Sequence, residues 1–180
     1  MIYYTYRIFE IIFESAIFVY FAQKENILMK VYLAGSFAFD DKNKSFTRKQ
    51  ILSNISQMLR KAGHEVFCPW EHTIPNAWDL PNRDWGMAVY GMDVTAIQNC
   101  DVVVMISYGK KESNNGSAWE CGFACGIGKQ VVVVSATDDV ESLMIVGGCT
   151  SHLSRISDLY NNDLDDIVSE RMRTAENEVS

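Results

Sequence analysis

Short continuous apolar runs alternate along the chain with longer stretches of helical period. Val31 to Ala34, Val102 to Ile106 and Val131 to Val134 read as strands buried on both faces of a parallel sheet. Glu65 to Cys68 reads as a further strand, stopped by Pro69. From Thr47 onward, Ile51, Ile55, Met58, Leu59 and Ala62 recur at helical spacing, and Gly63 is placed to end that helix. A second helix is predicted over Gly86 to Asn99, with Met87, Tyr90, Val94 and Ile97 on one face and Asp93 on its side. SAWECGFACGIG predicts a short helix between the runs at 102 and 131, with Glu120 in its first turn. Beyond Val134 the pattern predicts a short helix near Leu143 and a weak fifth strand near Ser154. A helix from Asp163 to Arg173 and a frayed tail follow. This order predicts an α/β fold, a doubly wound parallel sheet with helices on both faces.

Two stretches fall outside the pattern. Residues 69 to 85 hold three prolines and the tryptophans Trp70, Trp78 and Trp85 without any period, and so long a loop in a compact domain is usually functional. The first 28 residues are rich in aromatics and isoleucine, but Arg7, Glu10 and Glu14 leave no apolar run long enough to span a bilayer. They lack a basic start and a small-residue cleavage site, so they do not read as a signal peptide. Two readings remain: an amphipathic helix on a partner surface, or sequence upstream of a start at Met29. The second is favoured, and residues 29–175 then form one domain.

Composition narrows the partners. A net charge of -7 argues against a nucleic-acid backbone or an anionic membrane surface as the partner. Five cysteines at 68, 100, 121, 125 and 149 form no C-x-x-C pair and match no common zinc spacing, so reduced thiols in a cytoplasmic protein are expected.

The phosphate-binding glycine motifs and the nucleophile elbow are missing. What remains is a set of carboxylates near strand ends: Asp93, Asp101 and Glu120. Glu120 as nucleophile with Asp93 as acid suits cleavage of a glycosidic bond through an oxocarbenium-like transition state. A place near a helix start would keep Glu120 ionised. Each residue also has a bland reading. Glu120 would then answer the helix dipole, Asp93 sit in solvent, Asp101 cap a turn, Ser117 cap a helix and Tyr32 fill the core.

Three motifs tip the balance. VYLAGS at 31–36, MDVTAIQNCDVVV at 92–104 and NNGSAWECGFA at 114–124 resemble, in order and spacing, the nucleoside 2-deoxyribosyltransferases. The resemblance spans about residues 30 to 160. It implies a flavodoxin-like five-stranded parallel sheet and a homo-oligomer in which a neighbouring subunit completes each site. It also implies transfer of a 2′-deoxyribosyl group between nucleobases through a covalent glycosyl-enzyme, with deoxynucleosides and free bases as partners and no metal or organic cofactor. Glu120 then matches the nucleophile, Asp93 the carboxylate that assists base protonation, and Tyr32 the tyrosine that orients the nucleophile. Gly35, Ser36, Gly116 and Ser117 fall in substrate-binding motifs, and Leu143-Met144 resembles the segment lent to a neighbour. Asn114 replaces the usual aspartate of the third motif, and Ser142 replaces an asparagine before the Leu-Met pair. Relatives that hydrolyse nucleoside 5′-monophosphates carry a serine and a basic residue after the first strand. Here Ser36 is followed by no Lys or Arg until Lys42, which ranks the transferase first, the hydrolase second and a non-catalytic nucleoside sensor third.

Asn114 cannot supply a proton, whereas protonation by a positioned carboxylic acid is worth about 10²–10⁴-fold. Asn114→Asp is therefore expected to change the ratio of rates among cytosine, thymine, adenine and hypoxanthine donors and to move the acid limb of the pH–rate profile. An unchanged ranking together with an unchanged profile would mean that position 114 does not face the base.

Overall fold

In the computed structural model the described residues are 28–37, 41–112 and 115–169. The expectations for residues 1–27, for Asn114 and for the chain beyond 169 fall outside them. Five strands, β1 (Lys30–Gly35), β2 (Glu65–Phe67), β3 (Val102–Ser107), β4 (Gln130–Ser135) and β5 (Ser151–Leu153), form one sheet in the order β2-β1-β3-β4-β5. Every pairing is parallel, as expected for the flavodoxin-like arrangement.

The valine runs are continuous because both faces of the sheet are covered. Val31, Leu33, Val104, Ile106, Val132 and Val134 point to one side, where helix α1 (Lys42–Lys61) supplies Leu52, Ile55 and Leu59. Tyr32, Ala34, Val103, Met105 and Val133 point to the other side. That side is covered by α2 (Asn82–Asn99), α3 (Asn115–Gly126) and α4 (Leu143–Gly148). Helix α5 (Ile156–Asn161) and a helical segment at 164–169 close the first face with Leu159, Leu164, Ile167 and Val168.

Helix α1 begins at Lys42, ahead of the expected Thr47. Asp41 is the reason: its carboxylate accepts the N–H groups of Asn43 at 2.9 Å and Lys44 at 3.2 Å, satisfying donors that a helix start otherwise leaves open. Gly63, at φ 99°, ends α1 as its position suggested. Helix α2 starts at Asn82 and not at Gly86, and the loop before it holds two short 3-10 turns, Pro69–Glu71 and Ala77–Asp79. Its buried residues are Asp93 and Ile97, whereas Met87 and Tyr90 are exposed, so the expected apolar face is corrected. Helix α5 was not expected; Asp158 reaches back to the Arg155 N–H at 3.1 Å and starts it. The fifth strand sits at 151–153, just before Ser154. No helix among the described residues is long and apolar enough to cross a membrane.

Removing the cap should be measurable. Asp41→Ala is expected to lower unfolding free energy by about 1 kcal/mol in urea melts with an unchanged m-value. No loss at all would mean that α1 does not depend on that cap.

Candidate active site

Three elements bring the candidate chemistry together on the α2–α3 side of the sheet. Tyr32 lies on β1, fully buried and facing that side. Its ring stacks on Phe67, its partner across the β1–β2 register, at 5.6 Å between centroids and 15° between planes. Phe67 in turn stacks on His72 at 4.3 Å. The column holds the Tyr32 hydroxyl in place near two carboxylates, Asp93 of α2 and Glu120 of α3.

The electrostatics follow from burial. Glu120 is pushed up to about 7, chiefly by desolvation and then by the charge of Asp93, while the Tyr32 hydroxyl pulls the other way. Asp93 is also raised by burial, opposed by Tyr32 and by His72. Tyr32 itself stays far above the ordinary phenol range because it is buried between these carboxylates, so it remains a proton donor. Neither the Tyr32 hydroxyl nor Asp93 Oδ1 closes a hydrogen bond of good geometry, so buried polar atoms stand open at the centre of the cluster. The expectation that the helix dipole keeps Glu120 ionised is corrected. Helix α3 starts at Asn115, which puts Glu120 in its second turn, and the dipole acts mainly within the first.

A cavity of about 400 Å³ opens onto the cluster. Asp93, Glu120 and Gly116 border it together with Trp85, Tyr90 and Trp119. Trp119 lies 5.2 Å from Tyr90 and stacks flat on Phe123 at 5.3 Å, tying α3 to α2. These aromatics were missed in the sequence; only the unpatterned tryptophan-rich loop ending at Trp85 pointed to them.

The other candidates separate. Ser36 sits just past the end of β1, and Ser117 is buried in the first turn of α3. Gly35 faces α1: a Cβ there would come within 2.8 Å of Leu52 Cδ2, so its role is packing on the sheet face opposite the cluster. Asp101 lies at the start of β3, where it accepts the Lys30 N–H at 2.7 Å and donates its own N–H to the Lys30 carbonyl at 2.7 Å. It therefore ties together the N-terminal ends of the interior strands β1 and β3 and does not border the cavity at Asp93 and Glu120. Ser142 and Met144 border a different cavity, between α3 and α4.

The loop entering α3 is clasped from two sides. Glu112 meets Lys44 at 2.6 Å and the buried Arg48 at 3.1 Å, and the Arg48 guanidinium lies over the Tyr108 ring. On the other side the Lys110 N–H donates to the Val140 carbonyl at 3.1 Å, and Gly109, at φ 82°, packs against Asp139. Among the described residues no three His, Cys, Asp or Glu side chains converge as metal ligands would.

Residues 31–170 match the family described as nucleoside 2-deoxyribosyltransferase. A 2-deoxyribosyltransferase from the psychrotolerant bacterium Bacillus psychrosaccharolyticus is 29% identical, with a TM-score of 0.64 over 77% of this chain and 95% of that one. A CMP N-glycosidase from Clostridium botulinum is 20% identical, with a TM-score of 0.46 over 78% of this chain and 96% of that one. No curated protein matches.

The half-buried Glu120 carboxyl carries a stability cost with a definite sign. Glu120 binds its proton more tightly folded than unfolded, so stability falls as pH rises from 4.5 to about 7 and stays low above that. The shift corresponds to about 3 kcal/mol at most. Glu120→Gln is expected to be more stable than the wild type at pH 8, by an amount approaching that value, and no more stable at pH 4. Equal stabilities at pH 8 in chemical denaturation would contradict the burial.

Proposed function

The chain belongs to the nucleoside 2-deoxyribosyltransferase family, and on that premise we propose that it moves a 2′-deoxyribosyl group from one nucleobase to another through a covalent ester on Glu120. The observation that carries this reading is the meeting of Glu120, Asp93 and Tyr32 from three separate elements beside an aromatic-walled cavity. The flat walls offered by Trp85, Tyr90 and Trp119 suit a stacked nucleobase.

In the first half-reaction a Glu120 carboxylate oxygen attacks the anomeric carbon. The bond from that carbon to the base nitrogen breaks, and the electron pair leaves with the base. Asp93 gives its proton to the departing base. In the second half an incoming base nitrogen attacks the same carbon, the ester bond to Glu120 breaks, and Asp93 takes the surplus proton. The chemistry needs Glu120 ionised and Asp93 protonated. The two carboxyls interact through charge and share the Tyr32 hydroxyl, so they titrate as a pair. Tyr32, a neutral hydroxyl beside both carboxyls, is the group placed to orient Glu120.

The partner reading rests on α4. Leu143 and Met144 are 86% and 85% exposed, unusual for large apolar side chains, and suit a segment that a homo-oligomer lends to the neighbouring site. Hydrolysis of 5′-monophosphates ranks lower. The cations at the head of α1, Lys44 and Arg48, both close on Glu112, which leaves them poorly placed for a phosphate.

Deoxynucleosides incubated with and without an acceptor base, beside deoxynucleoside monophosphates, test the assignment. Base exchange is expected. Base release from monophosphates alone would name a hydrolase, and binding without turnover a sensor. Glu120→Ala is expected to fold and to lose at least about three orders of magnitude in exchange rate. Near wild-type exchange in that variant would overturn the mechanism.

A further inference from the structure

The reaction cavity of about 400 Å³ has a direction. On α2 it takes in Asp93, then Val89, Gly86 and, last, Asn82, so it runs from the carboxyls toward the start of that helix. Gly86 precedes Asp93 on the same helix face, two turns or about 10 Å along the axis. On α3 the cavity takes in Glu120 and, one turn nearer the helix start, Gly116. Both helices run back against parallel strands, so their starts lie at the carboxyl ends of the strands, the side from which such sheets take ligands.

Gly86 is not explained by its backbone or by crowding. It is not among the glycines at positive φ, and a Cβ built on it meets nothing within 4 Å. A glycine inside a helix is unfavourable relative to alanine. What the missing side chain leaves is room in the cavity, next to the flat faces of Trp85 and Trp119. A monocyclic pyrimidine bonded to a sugar at Glu120 spans roughly one 5.4 Å turn of α2. The second ring of a purine carries the stack further along the groove, toward the space that a larger side chain at position 86 would occupy.

Resting on the transfer reaction proposed above, we infer that the cavity is shaped for a bicyclic base, so that purine 2′-deoxynucleosides are the favoured donors, with Gly86 as the residue that sets the preference. The fused ring offers the tryptophans a larger face to stack on than a single ring does.

Two measurements on the full chain test this. One is kcat/KM for exchange from 2′-deoxyinosine and from thymidine. The other needs no turnover: binding of the same two nucleosides to Glu120→Ala, followed by tryptophan fluorescence. Each is expected to favour 2′-deoxyinosine by at least about tenfold, and adding Gly86→Leu should lower the purine-to-pyrimidine ratio at least about tenfold in both. Leucine is the better helix former, so that variant is expected to fold. Gly91→Leu puts the same change on α2 outside the cavity and should leave both ratios as they were. A preference for thymidine, a ratio unmoved by Gly86→Leu, or an equal shift in Gly91→Leu would overturn the inference and leave the transfer reaction standing. Purine-selective binding that depends on Gly86, in a protein that exchanges no base, would support the inference and sink the transfer reaction.

Discussion

The partial desolvation of two carboxyls around one tyrosine hydroxyl is the constraint on which the site depends. Glu120 and Asp93 each lose solvent, and each feels the other's charge. An isolated pair of this kind would repel or protonate. Tyr32, held on the central part of the sheet, places a neutral hydroxyl beside both, and burial keeps it un-ionised. The cluster is therefore poised to hold a proton near neutral pH, which suits one group that attacks and another that protonates.

The fold exists to keep that cluster in place. β1 delivers Tyr32 from the sheet, and Phe67 stacks beside it from the neighbouring strand. Helices α2 and α3 deliver the carboxyls, and the Tyr90–Trp119–Phe123 contacts hold the two helices at a fixed separation. The loop into α3 is tied to α1 through Glu112 and to the loop after β4 through Lys110 and Gly109.

Much of the fold was legible because parallel strands buried on both faces read as short unbroken runs of β-branched valine, which length and composition assign to strands. Three features were not. The start of α1 depends on a single capping aspartate inside a polar loop, where periodicity has no signal. Helix α5 is one turn and a half, too short for a period to show. The face of α2 was legible only in part: Ile97 turns inward as its spacing suggested, but Asp93 does too, while Tyr90 and Met87 stay exposed. The three catalytic candidates were legible only as a combination of motifs, since each alone has a common structural reading. The aromatic walls carried no sequence pattern, as cavities are made by elements distant in the chain.

In the proposed reaction Glu120 becomes covalently bonded to the sugar. Intact-mass analysis of the protein, acid-quenched during turnover of a 2′-deoxynucleoside without added acceptor base, tests it most directly. One 2-deoxyribosyl adduct per chain is expected, mapped by peptide sequencing to Glu120. Exchange that proceeds with no adduct on the protein, or with the adduct on another residue, would contradict it.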